Sequence, residues 1–340
     1  MFNLPTVFIL GAGASFECGL PLGTILKERI AQAVRFQFEH GVRQVSGDYD
    51  LYRILKSKFG AAINTYSQAG NRLAAALSRS ESVDDALHYL SETPHIVELG
   101  KVAIVYHILK AERESVLQNE PGIGRPDLTI LADTWFPHFY SMAVAGLTHG
   151  QLERAFDNIT IINFNYDRTL EQFLLWQLQD HAGILPNVAQ NIVSSLKFIR
   201  PYGRVGPLEW EKVGGLKFGG PDFFGSELFE FAGGIRTYTE QHESAIPGEI
   251  DKALSNCHVA ILIGFGFHQA NMNLFKPLTL RAGSATRTVF ATAHGIDPFS
   301  HSVLRQQLIG SFATSDVQLL QRTGHSLLSD LRRSILTAAS

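Results

Sequence analysis

Three short apolar runs, Val7 to Leu10, Ile159 to Phe164 and Val259 to Gly264, have the length and the β-branched and aromatic content of strands buried on both faces. A fourth, Thr288 to Thr292, precedes Ala293-His294-Gly295 in the same style. Between these runs, apolar residues at helical spacing predict helices over Thr24 to Phe38, Asp50 to Phe59, Arg72 to Ser78, Val83 to Leu90, Val97 to Leu117, Asp127 to Leu147 and Arg168 to Leu178. Continuous apolar strands alternating with helices predict an α/β fold with a parallel sheet, whose ligands bind at the carboxyl ends of the strands. The stretch 41–155 carries hardly any strand signal and reads as a large all-helical insertion, with the Pro- and Gly-rich 118–127 as a loop between two of its helices. Residues 212–234, rich in glycine and phenylalanine, read as a flexible lobe able to cover a site. Apolar spacing from Ser315 to Leu336 predicts a closing helix. The resulting division is a core of 1–40 and 156–310, an insertion of 41–155 and a C-terminal closing helix in 311–340.

Composition narrows the function classes. Of 340 residues, 45% are apolar, and 32 acidic against 29 basic side chains give a formal net charge of -3, so no basic track awaits a nucleic-acid backbone. Charged residues amount to only 18%, below the ~25% common in soluble domains, which points to a large core or to surface covered by other subunits, hence a homo-oligomer. Cys18 and Cys257 cannot supply a four-cysteine zinc site, and no metal site is expected. No apolar stretch reaches the ~20 residues of a membrane span. No basic residue precedes Lys27, so the apolar start is read as the first strand rather than a signal peptide, and the expected location is the cytoplasm.

The chemistry gathers where strands end. After the first strand come Gly11-Ala12-Gly13-Ala14-Ser15 and then Gly19-Leu20-Pro21. Glycines let backbone approach a ligand without Cβ clash and leave amides free for phosphate oxygens. Phe16 stands where the third glycine of G-x-G-x-x-G would fall, and the same residues also suit a tight turn with no ligand. The second strand ends in Asn163-Phe164-Asn165-Tyr166-Asp167, with amide and carboxylate groups suited to ribose hydroxyls; Asp167 also suits a helix cap. The third ends in Gly264-Phe265-Gly266-Phe267-His268-Gln269-Ala270-Asn271, where His268 suits a surface turn as well as a ligand.

Together, GAGAS and GLP at 11–21, NFNYD at 163–167 and IGFGFHQAN at 263–271 resemble the sirtuin-like NAD-binding family, closest to the bacterial sirtuin-like NAD hydrolases of antiphage defence. SVDDALHYL at 82–90 and TWFPHFY at 134–140 are similar to helical parts of those proteins, and ATAHG at 291–295 extends the likeness over most of the chain. The resemblance implies a Rossmann-like parallel sheet of the sirtuin type and NAD+ as substrate or ligand, without zinc. It implies that Gly11, Ala12, Gly13, Ala14 and Ser15, with Pro21, hold the pyrophosphate and adjacent ribose. Asn165 matches the catalytic asparagine, and Asp167 the aspartate behind the nicotinamide pocket. Gly264, Phe265, Gly266, Phe267 and Asn271 would meet the adenosine.

The family's His-Gly pair is matched here by Tyr202-Gly203, or by Arg200 if the register slips by two, and no histidine lies between His181 and His242. Tyrosine titrates near ~10 and arginine stays protonated, so neither replaces imidazole as a base near neutral pH. His268, His294 or a neighbouring subunit are the other sources of a proton acceptor. The resemblance therefore implies an NAD+ hydrolase releasing nicotinamide and ADP-ribose, restrained until activated. The alternative is an NAD+- or ADP-ribose-binding sensor or scaffold working with a partner such as an ATPase or a nuclease.

Overall fold

The computed structural model describes residues 1–40, 43–242, 244–275 and 287–340. Six strands form one parallel sheet: β1 (Thr6–Leu10), β4 (Ile159–Asn163), β5 (Lys197–Ile199), β6 (Val259–Ile263), β7 (Thr288–Thr292) and β8 (Val317–Leu320). A separate antiparallel pair joins β2 (Gln37–Glu39) to β3 (Arg43–Ser46). The sheet order β5-β4-β1-β6-β7-β8 places the chain's first strand centrally, with successive strands added first to one side and then to the other. This is the doubly wound, Rossmann-like α/β arrangement, and its direction reverses between β1 and β6.

Period-2 alternation divides the core. Val7, Ile9, Ile162, Ile199, Leu262 and Val289 face one cluster, which is completed by helices Gly23–Ala33, Ile63–Leu77, Pro94–Glu114, Ile246–Asn256 and His301–Phe312. Phe8, Leu10, Ile161, Ile261, Ile263 and Phe290 face the other, under helices Trp135–Ala143, Thr169–Ala182, Pro186–Ser195 and Gly324–Asp330. The β1 side chains are buried throughout, as are those of β6, which is why these strands read as continuous apolar runs.

Several elements differ from the sequence reading: among them, β3 lies in the stretch expected to be all-helical, and the helix expected over Asp127–Leu147 is confined to Trp135–Ala143. The helix expected to reach Phe38 stops at Ala33, and the chain turns into β2, where Phe36 and Phe38 each pack on Tyr52 with ring centroids 5.3 and 4.8 Å apart. The predicted closing helix is interrupted: β8 occupies Val317–Leu320 on the sheet edge, and two short helices, Gly324–Asp330 and Arg332–Ala338, follow. The other edge strand, β5, was likewise not anticipated. Both are short and have solvent-facing polar positions, Lys197 and Gln318, that dilute the apolar signal.

At the reversal point, the loops after β1 and β6 lie directly on one another. The Gly11 amide donates to the Ile263 carbonyl at 3.1 Å and the Gly13 amide to the Gly264 carbonyl at 3.0 Å. A Cβ on Gly264, whose φ is +58°, would fall 2.1 Å from the Ala14 nitrogen. Only glycine satisfies both demands. Gly264→Ala is expected to lower unfolding free energy by about 2–4 kcal/mol in urea titrations. Gly248→Ala, within a helix and with nothing within 4 Å of its Cβ, should be neutral or stabilising; equal effects would refute the close-approach role.

Candidate functional site

The carboxyl ends of β4, β1 and β6 are neighbours, so the three glycine- and asparagine-bearing segments meet on one rim. Gly11 is extended and precedes the short helix Ala12–Phe16. Its amide, with those of Gly13 and Ala14, is spent on protein carbonyls: Ile263, Gly264 and Gly11 respectively. The glycines here serve loop-to-loop approach. A Cβ on Gly13 would meet the Gly264 Cα at 2.7 Å, so a larger residue at 13 disturbs this contact whether or not a phosphate lies nearby. Pro21 is buried just before the helix Gly23–Ala33.

Next to this loop lies a buried polar knot. The Asn165 Nδ2 donates to the Gly11 carbonyl at 2.8 Å and to the Ser15 Oγ at 3.0 Å, while the Asn165 amide is held by the Asn163 Oδ1 at 3.0 Å. Ser15 Oγ donates to the Asp167 Oδ1 at 3.0 Å. The same carboxylate oxygen accepts from the Thr169 hydroxyl at 2.6 Å and the Thr169 amide at 3.1 Å. Asp167 is not itself the cap of helix Thr169–Ala182, which is Arg168; from one position earlier its carboxylate holds the first helical amide, at Thr169, and ties that helix to the glycine loop. Burial raises the Asp167 pKa, and the Thr169 and Ser15 hydrogen bonds pull it back. The Asn165 Oδ1 makes no hydrogen bond among the described residues, leaving an acceptor for a ligand.

The knot stands on an ion pair that the sequence reading missed. Arg168, with no exposed side-chain surface, meets the equally buried Glu112 of helix Pro94–Glu114 through Nε at 3.1 Å and through a short Nη2 contact; the Arg168 amide also donates to Glu112 Oε1 at 3.0 Å. Its guanidinium further donates to the carbonyls of Pro207, Leu216 and Lys217, and Glu112 accepts the Gly219 amide at 3.1 Å. The lobe read as flexible is therefore fastened at its base.

On the other flank, Arg200 donates to the carbonyls of Asn165 and Asp167 and pairs with Glu171, so it is a clamp on the Asn165 loop. Tyr202 is buried and donates its hydroxyl to the Asn271 Oδ1 at 2.8 Å, bringing two predicted site residues together. Burial and the nearby Asp84 push the Tyr202 phenol well above its ordinary range, so it does not serve as a base. Phe265 packs edge-on against Phe164 at 5.1 Å and Phe267 at 5.3 Å, and Phe267 adopts a left-handed φ of +54°, which is uncommon for a bulky residue. Gly266 lies against the His268 ring, which is exposed and 3.6 Å from the Glu81 carboxylate. His294 is exposed after β7.

A carboxylate not assigned from sequence completes this flank. Asp84, in the first turn of helix Val83–Tyr89, accepts the Tyr166 hydroxyl at 2.5 Å. Burial pushes its carboxyl up from 3.8 to about 6, against the pull of that hydroxyl. The signal for its position was present: the Ser82 Oγ accepts the Asp85 amide at 3.0 Å, a cap that fixes where the helix starts and sets Asp84 beside Tyr166. Among the described residues, no group of three or more His, Cys, Asp or Glu side chains is placed to hold a metal, and no helix is long and apolar enough to cross a membrane.

No family model and no curated protein matches the chain. Among solved structures, a mutant Sir2 homologue in complex with 2'-O-acetyl ADP ribose is similar at 11% identity and a TM-score of 0.42, over 98% of this chain and 93% of that one.

Two expectations follow from this geometry. Glu112→Gln leaves the Arg168 charge buried without its counter-charge and should cost about 3–5 kcal/mol in urea unfolding, whereas the paired change Glu112→Leu with Arg168→Met should recover much of it. Between pH 3.8 and about 6 the folded chain keeps a proton on Asp84 that the unfolded chain releases, so this group's contribution makes stability fall as pH rises through that window. Thermal melts of wild type and Asp84→Asn should differ in slope across it; parallel profiles would remove Asp84 as the titrating group.

Proposed function

We propose that this chain is a sirtuin-like NAD+ hydrolase that releases nicotinamide and ADP-ribose. The observation that carries the reading is the knot of Asn165, Ser15 and Asp167 beside the β1–β6 reversal point, with the Asn165 Oδ1 unused among the described residues. Crevices at such points receive nucleotides. The residue types fit a ribose-bearing ligand: the amides of Asn165 and Asn271 stand beside the aromatic wall of Phe164, Phe265 and Phe267, with the Ser15 and Tyr202 hydroxyls holding Asp167 and Asn271 in place. The fit is thinner for a pyrophosphate, because three amides of the glycine loop are already bonded.

In the reaction, a water oxygen bonds to C1′ of the nicotinamide ribose, the glycosidic C–N bond breaks, nicotinamide leaves with its electron pair, and the water's proton passes to an acceptor. Asn165 would orient the ribose or the water. Asp84 is the acceptor we favour in place of the absent histidine, since it ionises near neutral pH and touches Tyr166, the neighbour of Asn165. Arg200 and Tyr202 position the loop and Asn271. A role in antiphage defence and restraint before activation extend this proposal from the motif resemblance alone, and self-association and cytoplasmic residence extend it from the low charged fraction and the strand-like apolar start.

A second reading, an NAD+- or ADP-ribose-binding sensor or scaffold with a protein partner, is favoured by the bonded state of the glycine loop and the lack of a histidine at Tyr202.

Nicotinamide release from NAD+, measured beside calorimetric binding, separates the two. Asn165→Ala is expected to cut release at least ~100-fold with binding largely kept. Tyr202→Phe should act more mildly, by loosening Asn271. Release should rise with pH through about 6 and lose that rise in Asp84→Asn. Equal release by wild type and Asn165→Ala would overturn the hydrolase; binding without release by wild type would establish the second reading.

A further inference from the structure

The short helix Ala12–Phe16 carries Ser15, yet nothing within it fixes its direction. Five residues are too few for a helix to stand alone, and Gly11 gives its start no side-chain cap. On one side lies the polar knot, where the Ser15 Oγ meets Asn165, Asp167 and Thr169. On the other it is held by Glu17, the residue that ends it, in the gap between GAGAS and GLP.

Glu17 joins three parts of the chain. Its Oε2 accepts the Trp135 amide at 2.8 Å and its Oε1 the His325 amide at 3.4 Å, at the starts of helices Trp135–Ala143 and Gly324–Asp330. The Trp135 amide gets no help from its own cap residue: Thr134 turns its hydroxyl to the Leu131 carbonyl and makes no cap bond. Trp135 also reaches back, its indole N–H donating to the Ala14 carbonyl at 2.8 Å. The C-terminal helix begins hard against the same place, since a Cβ on Gly324 would lie 2.7 Å from the Ile263 Cγ2 and 3.1 Å from the Trp135 Cβ. Burial raises the Glu17 carboxyl above its ordinary range, and the Trp135 and His325 amides pull it back, so these amides favour its ionised form.

We propose that Glu17 is a positioning residue for the rim: by tying helix Ala12–Phe16 to helices Trp135–Ala143 and Gly324–Asp330, it seats the Ser15 hydroxyl against Asn165 and Asp167. The C-terminal helix thereby acts on the rim through Glu17, and helix Trp135–Ala143 acts on it through both Glu17 and the Trp135 indole. The effect on catalysis rests on the hydrolase reading; the effect on the glycine loop does not.

Hydrogen exchange over residues 11–18 of the unliganded full chain is the first readout. Glu17→Ala should speed it about tenfold, and Glu17→Gln, which keeps one acceptor oxygen, should fall between that variant and wild type. Asp48→Ala removes a capping carboxylate from helix Tyr49–Phe59 and should leave exchange over 11–18 within about twofold of wild type. Nicotinamide release is the second readout: in Glu17→Ala, kcat should drop about tenfold with KM for NAD+ within about twofold, since the loss lies in orientation rather than in binding. Should Glu17→Ala fail to fold, Glu17→Gln and Trp135→Phe, which loses the indole donor, carry both readouts. Unchanged exchange in the folded Glu17 variants, or an equal rise in Asp48→Ala, would overturn the proposal. So would an unchanged kcat in a chain that releases nicotinamide. If wild type releases none, the hydrolase reading falls, and the exchange result alone upholds or overturns the positioning role.

Discussion

Arg168 and Glu112 give up their water entirely, and the end of helix Pro94–Glu114, the turn after β4 and residues 207–219 are arranged around making that tolerable. A guanidinium and a carboxylate with no exposed side-chain surface are costly to bury, and the cost is met only by good geometry and by satisfying their remaining donors and acceptors. Here the guanidinium also donates to the Pro207 carbonyl and to two lobe carbonyls, Leu216 and Lys217, and the carboxylate accepts from the Arg168 and Gly219 amides. The pair thereby joins the longest helix described, the turn after β4 and the glycine-rich lobe. Asp167 immediately precedes Arg168, so the polar knot holding Asn165 and Ser15 is positioned by the same anchor.

The rim is a compromise between closeness and openness. Gly11, Gly13 and Gly264 bring two loops into backbone contact, which consumes amides that a nucleotide's phosphates would use. What is left toward a ligand is amide and aromatic surface, flanked by an Asp84 carboxyl whose burial carries its titration up to about 6. Arg200 and Tyr202 occupy the segment that the resemblance matches to a histidine, yet both are committed to holding other parts: Arg200 to two loop carbonyls and Glu171, Tyr202 to Asn271.

Much of this was legible along the chain. β1, β4, β6 and β7 were readable because strands covered on both faces must be apolar at every position, as Thr6–Leu10 and Val259–Ile263 are buried at every position. Helix Tyr49–Phe59 was readable from its apolar stripe and helix Val83–Tyr89 from its spacing. The edge strands β5 and β8 were not, because one exposed side removes the continuous pattern. The asparagines and glycines of the rim stood out as residue types at strand ends, and the juxtaposition of Tyr202 with Asn271 followed from two separate segments only once both were folded.

The sequence by itself determined the class of fold and which segments carry polar chemistry, since burial pattern and glycine placement are local properties of a chain. Tertiary structure alone decided the pairings. Glu112 and Arg168 lie 56 positions apart, Asp84 and Tyr166 82, and Ser15 and Asp167 152. Whether a charge is a solvated surface group or a buried anchor depends on what long-range packing excludes from around it, and no local pattern records that.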